Sequence, residues 1–210
     1  MGEKKYKAVI FDLDGTFYDN SCLMWMLPLA ELCYGKLGFL ARERRCRKQL
    51  RTQHYGTEEN FYDQLYRAIS AKHPDRARRW YHLHYLPMQV RIIRHFCKPY
   101  PWVKPRLEAL REQGVLVALY SDYGRPEDKL LALGLDPGMF DLIVNAPSLG
   151  GLKPNVENAR AILSLLQVAP ADALFVGDRD DCDGETARRV GSDFELQGKQ
   201  STENSNKPKS

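Results

Sequence analysis

The sequence has few cysteines, no long apolar run and little net charge, and each of these absences excludes a class of protein. Its five cysteines are dispersed and form no CxxC pair, so neither a disulfide framework nor a zinc knuckle is expected; free thiols in a reducing cytoplasm are predicted instead. No apolar run approaches the roughly 20 residues that span a bilayer. Residues 1–5 lead directly into a strand-like segment, so no secretory signal peptide is expected. These features predict a cytoplasmic protein that does not associate with membranes.

The remaining composition is that of a globular protein with an uneven distribution of charge. Of the 210 residues, 43% are hydrophobic and 28% are charged, and the net charge is +4. Residues 20–100 hold 15 of the 31 Lys and Arg but only 6 of the 27 Asp and Glu, a formal charge of +9, together with all five histidines. This asymmetry indicates two modules with different roles. The basic module lacks an interleaved aromatic and basic motif, so nucleic acid is not an expected partner.

The first hundred residues combine one strand with a long helical segment. Residues 6–11 (YKAVIF) are β-branched and aromatic, which predicts a buried strand. From about residue 17 to 97 the chain lacks strand-like alternation and has apolar residues at helical spacing. This segment is predicted to be a helical insertion, with a helix beginning within residues 56–59 and a turn at residues 73–75.

After residue 100 the pattern changes to alternating helices and strands. The strands are near-continuous apolar runs, which is typical of a parallel sheet covered by helices on both faces. The predicted fold class is therefore α/β. A disordered tail is predicted at the polar residues 198–210. The predicted helices cover residues 103–113, 126–133 and 154–167, and the predicted strands cover residues 115–120, 142–145, 173–176 and 192–196.

Two aspartates directly follow the first predicted strand, in the motif DLDGT at residues 12–16. Open α/β sheets bind ligands where their strands end. If the chain stays extended, Asp12 and Asp14 point the same way. Asp12 then has the position to attack a phosphorus atom, while Asp14 transfers protons for the leaving group and later for water. Gly15 permits the tight turn that follows.

Two further strand ends carry groups suited to an anion. Ser121 and Asp122 follow the next strand, where a hydroxyl and backbone N–H groups at a strand-to-helix turn form a possible phosphate cradle. Lys153 precedes a predicted helix and offers a positive charge to a phosphate. Each signal is weak alone, because a serine there is more often a helix cap and a lysine there is more often a surface residue.

The last motif is acidic. Residues 177–184 (GDRDDCDG) contain four aspartates in six residues, and hard carboxylate oxygens suit Mg²⁺. Alone, this segment would be interpreted as a solvated acidic turn. Its aspartates are Asp178, Asp180, Asp181 and Asp183.

These four motifs, in this order, resemble the haloacid dehalogenase superfamily of aspartate-nucleophile phosphatases. The resemblance covers residues 6–16 and roughly 100–191. It implies a Rossmann-like doubly wound sheet, an aspartyl-phosphate on Asp12 and a general acid and base in Asp14. It also implies that Ser121, Asp122 and Lys153 hold the phosphoryl group.

The resemblance further implies a magnesium ion bound by Asp12, by the backbone carbonyl of Asp14, and by Asp178. In its last motif, the family has a second acidic residue either directly after the first one, here Asp178, or a few positions later. Since position 179 is arginine, Asp183 is the predicted fourth ligand, with Asp181 or Asp180 as alternatives. Because dehalogenases of the family lack the second aspartate, Asp14 favours phosphate over halide chemistry.

By the same resemblance, residues 17–97 form a helical cap over a discontinuous core of residues 1–16 and 98–197. The predicted function is a magnesium-dependent phosphatase for a small phosphorylated metabolite. A phosphotransferase or mutase using the same aspartyl-phosphate is an alternative, and a binding protein with a vestigial site is a third. Met24, Trp25 and Met26 are predicted to pack in the cap core rather than to line a substrate pocket.

Overall fold

The structure, a computed structural model, describes residues 6–51 and 53–197. The predicted tail at residues 198–210 lies outside the described residues. In this part of the chain, five parallel strands form one sheet in the order β3-β2-β1-β4-β5. These strands are β1 (Ala8–Phe11), β2 (Leu116–Ser121), β3 (Leu142–Asn145), β4 (Ala173–Gly177) and β5 (Asp193–Leu196).

The first strand occupies the centre of the sheet. All four of its residues are buried, as their apolar character on both faces requires. Ala8 lies opposite Leu116 of β2 on one side and opposite Ala173 of β4 on the other. The chain first builds β2 and β3 on one side of β1 and later β4 and β5 on the other. Such a reversal opens a crevice at the carboxyl ends of the strands.

The helices that the structure describes fall into two groups. Five lie within residues 17–97: α1 (Ser21–Cys33), α2 (Leu37–Leu50), α3 (Glu58–Ile69), α4 (Pro74–Trp80) and α5 (Leu86–Phe96), with a π-helical turn (Tyr81–Tyr85) joining the last two. The others alternate with the strands: α6 (Val103–Glu112), α7 (Pro126–Ala132), α8 (Val156–Leu165) and α9 (Glu185–Val190). The predicted α/β fold with a parallel sheet is confirmed. None of the described helices is both long and apolar enough to cross a bilayer.

One local prediction was wrong, and one predicted helix begins two residues later than expected. Residues 73–75 do not form a turn, because α4 begins at Pro74 with His73 before it; proline is well tolerated in the first helical turn, where its missing N–H has no helical partner. The helix predicted from residue 154 begins instead at Val156. Asn155 caps it by accepting a hydrogen bond from the backbone N–H of Asn158 (2.9 Å).

The inserted helices pack against the sheet region through specific contacts. The backbone N–H of Tyr55 donates to the carbonyl oxygen of Gly150 (2.7 Å). The side chain of Thr57 caps α3 and accepts from the N–H of Asn60, so this helix begins within residues 56–59, as predicted. Helix α5 contacts α7 of the sheet region. The division into a cap of residues 17–97 and a core of residues 1–16 and 98–197 stays a prediction.

Candidate active site

The predicted site residues meet at the carboxyl edge of the sheet. Asp12 directly follows β1, Ser121 ends β2, and Asp178 directly follows β4. Loops after β3 and β4 bring Lys153 and Asp183 to the same place. A cavity of about 220 Å³ lies among these groups; its walls include Asp12, Asp14, Asp122, Lys153, Asp178 and Asp183.

Asp12 is fixed on all sides. Its N–H donates to the carbonyl oxygen of Val176 (2.8 Å), which extends the β1–β4 pairing by one residue. Its Oδ2 accepts from Thr16 Oγ1 (2.9 Å), and its Oδ1 accepts from Lys153 Nζ (2.5 Å). Asp12 is 9% exposed. The carboxylate is therefore held in one orientation at the cavity wall, as a nucleophile that attacks along a fixed line requires.

Two carboxylates contact one ammonium group in this site, and a third carboxylate lies close to them. Lys153 Nζ donates to Asp183 Oδ1 (2.6 Å) and to the carbonyl oxygen of Tyr120 (3.0 Å), in addition to Asp12. Asp12, Asp178 and Asp183 each offer one oxygen, and these oxygens lie within 4.8 Å of one another. Hard oxygen donors at such spacing fit a divalent cation such as Mg²⁺.

The pKa values of these carboxyls reflect the shortage of positive charge. Burial raises the pKa of Asp12 to about 8; Lys153 opposes the shift, while Asp183 and Asp178 reinforce it. Burial also raises the pKa of Asp178 to about 6, and the Asp183 charge adds to it. A divalent cation would supply the missing charge and keep Asp12 and Asp178 ionised.

Among the candidates for the last acidic ligand, only Asp183 reaches the cavity. Asp183 is buried beside Lys153, whereas Asp180 accepts from Arg188 Nη1 (2.8 Å) and Asp181 accepts from Arg179 Nη2 (2.6 Å). A Cβ on Gly177 would lie 2.4 Å from the Asp183 carboxyl carbon. Glycine at the end of β4 therefore lets this side chain fold back over the strand.

Asp14 lies in a different electrostatic environment from Asp12. Its oxygens accept from Lys129 Nζ (2.8 and 2.9 Å), from Tyr18 Oη (2.5 Å) and from Ser121 Oγ (3.2 Å). Burial alone would raise the pKa of Asp14, but the Lys129 charge and these hydrogen bonds outweigh it, so the pKa is lowered. The Lys129 charge and the hydrogen bonds thus stabilise the ionised form of Asp14, the predicted acid–base residue, in this arrangement.

Asp122 is engaged by the helical insertion. Its Oδ1 accepts from the backbone N–H of Lys153 (2.9 Å), and its Oδ2 accepts from Arg51 Nη2 (3.1 Å). Its carbonyl oxygen accepts from Arg47 Nη1 (2.9 Å), and the Arg47 guanidinium lies 4.1 Å from the centre of the Tyr123 ring. The Asp122 side chain therefore links the Lys153 loop to Arg51 at the end of α2, and its contact with a phosphate stays a prediction.

The sequence alone did not identify Lys129, Arg47 or Arg51 as parts of this site. Lys129 lies on α7, eight residues beyond the Ser121 motif, and it is fully buried. Arg47 belongs to a helix with several other basic residues, and no spacing distinguishes it from them. The sequence offered one signal for a buried Lys129, which is that apolar residues lie near it in the same helical segment. Of these, Leu130 and Leu133 are buried in the structure.

The prediction for Met24 and Trp25 was wrong. Met24 is 56% exposed and lines the cavity beside Asp12 and Asp14, and Trp25 is 81% exposed. Helix α1 is apolar around most of its circumference, so its sequence does not indicate which side chains face inward. Met26 packs partly buried against the core.

Replacing Gly15 by alanine is expected to damage the site directly. Gly15 has φ = +101°, and an added Cβ would lie 2.2 Å from Asp178 Oδ2. Both backbone strain and displacement of Asp178 should follow, with a loss in the free energy of unfolding of roughly 3 kcal/mol or more. The measurement is urea denaturation.

Gly134→Ala is the matched control, since its φ is +74° and no atom lies within 4 Å of the added Cβ. It should lose only about 1–2 kcal/mol, and an equal loss in both variants would contradict the argument.

The comparisons with known proteins agree with this fold. The family model for haloacid dehalogenase-like hydrolases matches residues 6–191. The chain therefore belongs to the haloacid dehalogenase-like hydrolase family.

Relatives with narrower descriptions cover most of the chain. A phosphoglycolate phosphatase of Aquifex aeolicus (strain VF5) is 28% identical over 199 residues, which is 89% of this chain and 82% of the relative. A glyceraldehyde 3-phosphate phosphatase of Methanopyrus kandleri is 30% identical over 198 residues, which is 88% of this chain and 81% of the relative. Among solved structures, the 2-haloacid dehalogenase of Pseudomonas syringae pv. Tomato DC3000 has a TM-score of 0.61 at 20% identity, over 90% of this chain and 85% of that one. The last similarity concerns the fold alone.

Proposed function

We propose that this hydrolase is a magnesium-dependent phosphatase that hydrolyses a small phosphorylated metabolite through an aspartyl-phosphate on Asp12. The observation that carries the proposal is the fixed Asp12 carboxylate at the wall of a cavity that Asp178, Asp183 and Lys153 share. The two relatives described above are named phosphatases of two- and three-carbon phosphate esters. Free thiols at all five cysteines support a cytoplasmic location within this proposal.

In the first displacement, an oxygen of Asp12 attacks phosphorus and the ester oxygen departs with its electron pair. Asp12, Asp178 and Asp183 would hold the magnesium ion, which supplies positive charge against the phosphoryl oxygens when bound. Lys153 remains beside Asp12 and adds a further positive charge. Dividing hydrolysis into two displacements helps to lower a barrier that is on the order of 20 kcal/mol higher without an enzyme.

In the second displacement, water attacks the phosphorus of the aspartyl-phosphate and restores the Asp12 carboxylate. Asp14 would accept the proton of that water, because its carboxylate is ionised beside Lys129. The alkoxide released in the first displacement takes its proton from Asp14 when that group enters the cycle protonated, so that one water molecule converts the ester into alcohol and phosphate. Ser121 donates to Asp14 in this arrangement, so its proposed contact with phosphate would require its hydroxyl to turn from Asp14.

The test of this proposal is phosphate release from an aryl phosphate and from a panel of short phosphate esters. Activity is expected with Mg²⁺ and is expected to disappear when the metal is chelated. Chelation without effect would contradict the metal requirement. An isomerised phosphate ester as product, instead of free phosphate, would indicate a mutase.

Asp183→Asn is expected to weaken Mg²⁺ binding roughly a hundredfold, about 2.7 kcal/mol, because it removes a charged ligand. The measurement is the Mg²⁺ concentration that gives half-maximal activity, together with calorimetric titration of Mg²⁺. Asp181→Asn is the matched control, since the Asp181 side chain is 73% exposed and paired with Arg179. Its Mg²⁺ affinity should change less than about threefold. A larger effect at Asp181 than at Asp183 would overturn the assignment.

A further inference from the structure

Helix α1 is apolar on two opposite faces, and the described part of the chain covers only one of them. Leu23 and Leu27 face inward and are buried. On the opposite face, Trp25, Leu29 and Leu32 follow one another at helical spacing and are exposed. A helix that is apolar all round is normally buried on every side. The exposed face of Trp25, Leu29 and Leu32, here called the α1 stripe, therefore lacks the partner that its composition requires.

Exposed apolar groups continue the α1 stripe at both ends of the helix. Near its beginning, Cys22 Sγ donates to the carbonyl oxygen of Phe96 (3.6 Å), and Phe96 is exposed. At its end, the ring of the exposed Tyr34 lies 4.7 Å from the ring of His84, which follows the exposed Leu83. The 13 residues of α1 extend over about 20 Å. An apolar surface along a whole helix differs from the single exposed apolar residues that are normal on proteins, and it indicates an interaction site.

The charges around the α1 stripe are of one sign. Helices α2 and α5 contact α1, and both acidic residues of these three helices, Glu31 and Glu43, are fully buried. The exposed charged residues of the same helices are all basic: Arg42, Arg44, Arg45, Lys48, Arg91 and Arg94. A second copy of this surface would bring like charges together, which opposes association. The same charges attract an anionic partner.

A basic cavity of about 460 Å³ lies at the end of the α1 stripe. Tyr34, which directly follows α1, is part of its wall, as is Trp80. Three cations also line it, namely Lys36, Arg76 and Arg79, and none of the described residues in its wall is acidic. Such a cavity offers charge-assisted hydrogen bonds to the phosphate of an anionic head group.

We propose that the α1 stripe and the basic cavity together bind the surface of a bilayer that contains anionic phospholipids. Trp25, Leu29 and Leu32 enter the boundary between head groups and acyl chains, where tryptophan and leucine are favourable. The cations of the basic cavity bind lipid phosphates. Recognition of a partner helix uses an apolar groove. These side chains instead project from a helix, so a bilayer surface is the better fit.

This surface departs from the expectation, drawn from the sequence, that the chain does not associate with membranes. That expectation followed from the lack of an apolar run long enough to span a bilayer. A surface contact needs no such run, because the helix lies in the plane of the interface. Only the structure shows that Trp25, Leu29 and Leu32 are exposed together.

Co-sedimentation of the full chain with vesicles tests this surface. One set of vesicles is phosphatidylcholine alone, and the other contains phosphatidylserine as roughly one third of its lipid. Wild type should bind the anionic vesicles at least about tenfold more tightly, and added salt should weaken this binding. Leu29→Gln should weaken it roughly tenfold, as expected when one leucine is no longer buried in apolar surroundings. Leu165→Gln on α8 is the matched control and should bind as wild type does, since Leu29 and Leu165 are both 62% exposed.

A double variant, Arg76→Gln with Arg79→Gln, tests the basic cavity separately. It should lower the affinity for anionic vesicles at least roughly tenfold and leave the affinity for neutral vesicles unchanged. The matched control with the same net charge combines Lys104→Gln and Arg160→Gln, two exposed cations outside the insertion. Its affinity should change less than about twofold. An equal loss in both double variants would mean that net charge alone, and not the basic cavity, determines binding.

Three results would overturn the proposed surface. Wild type that sediments equally with both kinds of vesicle, or with neither, would exclude an anionic bilayer as the partner. So would an equal loss of binding in Leu29→Gln and Leu165→Gln. A wild-type dimer in size-exclusion chromatography that Leu29→Gln dissociates would show that a second copy covers the α1 stripe.

Thermal unfolding checks that each variant is folded, and Trp25→Gln replaces Leu29→Gln if the latter is unstable. Phosphate release is measured separately, because a failure of the proposed phosphatase function would leave vesicle binding unaffected.

Discussion

Replacing Asp12 by asparagine is expected to lower kcat for phosphate release by at least roughly 10⁴-fold. The amide cannot attack phosphorus in place of the carboxylate, and the proposed route to product then has no covalent first step. The variant also loses the negative charge of one of the three oxygen donors that cluster around the proposed metal. The measurement is steady-state release of phosphate from an aryl phosphate at saturating Mg²⁺.

The same substitution should leave the fold intact. Thr16 Oγ1 can still donate to the amide oxygen, and removal of one negative charge relieves the repulsion that Asp178 and Asp183 exert on Asp12. Thermal unfolding should therefore show no large loss of stability. Asp180→Asn serves as the control, because the Asp180 side chain is 64% exposed and bound to Arg188. Retention of a tenth or more of the wild-type activity in Asp12→Asn would contradict the nucleophile assignment.

The second large effect is expected from Lys129→Met. Lys129 is fully buried, and its ammonium is 2.8 and 2.9 Å from the two oxygens of Asp14. Removing one partner of a buried ion pair leaves the other charge uncompensated, which costs about 3–5 kcal/mol. Urea denaturation at pH 8 measures the loss. Lys104→Met, at an exposed lysine on α6, is the control and should change stability by less than about 0.5 kcal/mol.

The dependence of that loss on pH has a definite sign. Burial raises the pKa of Asp14, and in the variant only hydrogen bonds act against that rise because the Lys129 charge is gone. The pKa of Asp14 in the folded variant is therefore higher than in wild type. A raised folded-state pKa means that the penalty grows as the pH rises above the unfolded value of 3.8. Lys129→Met should therefore lose less stability at pH 5 than at pH 8.

The double variant Lys129→Met with Asp14→Asn separates charge from packing. Since both charges are absent, most of the stability lost in the single variant should return. Tyr18 and Ser121 keep an acceptor in the asparagine oxygen. A double variant as unstable as Lys129→Met would mean that the lysine stabilises the fold through its hydrocarbon chain and not through the ion pair.

The sequence predicted the sheet and most of its strands because the strands are short apolar runs separated by helices. Strand β3 at Leu142–Asn145 was predicted with the correct ends, and β1, β2 and β4 were predicted within two residues. Helix ends were harder to predict, as Pro74 and Asn155 show. Proline and asparagine occur both in turns and at helix starts, and only the following residues distinguish the two.

Asp12, Asp14 and Asp178 were found from the sequence because Asp12 and Asp178 each follow a strand directly and Asp14 lies two residues after Asp12. The carboxyl ends of parallel strands share one edge, so residues far apart in the chain meet there without knowledge of any side-chain contact. Their roles as nucleophile, acid–base residue and metal ligand stay predictions. The sequence also left Asp180, Asp181 and Asp183 as alternatives, because four aspartates in one short loop have nearly the same local pattern.

The amino-acid sequence alone determined the class of fold, the carboxylates at the strand ends and the presence of a basic helical insertion, since these depend on local pattern and strand order. The tertiary structure decided which aspartate lies beside Asp12 and Lys153, and that Lys129 neutralises Asp14. It also showed that Arg47 donates a hydrogen bond to the carbonyl oxygen of Asp122. Long-range contacts between the insertion and the sheet establish these pairings, and whether a charged or polar side chain is buried depends on such contacts more than on the residues next to it in sequence.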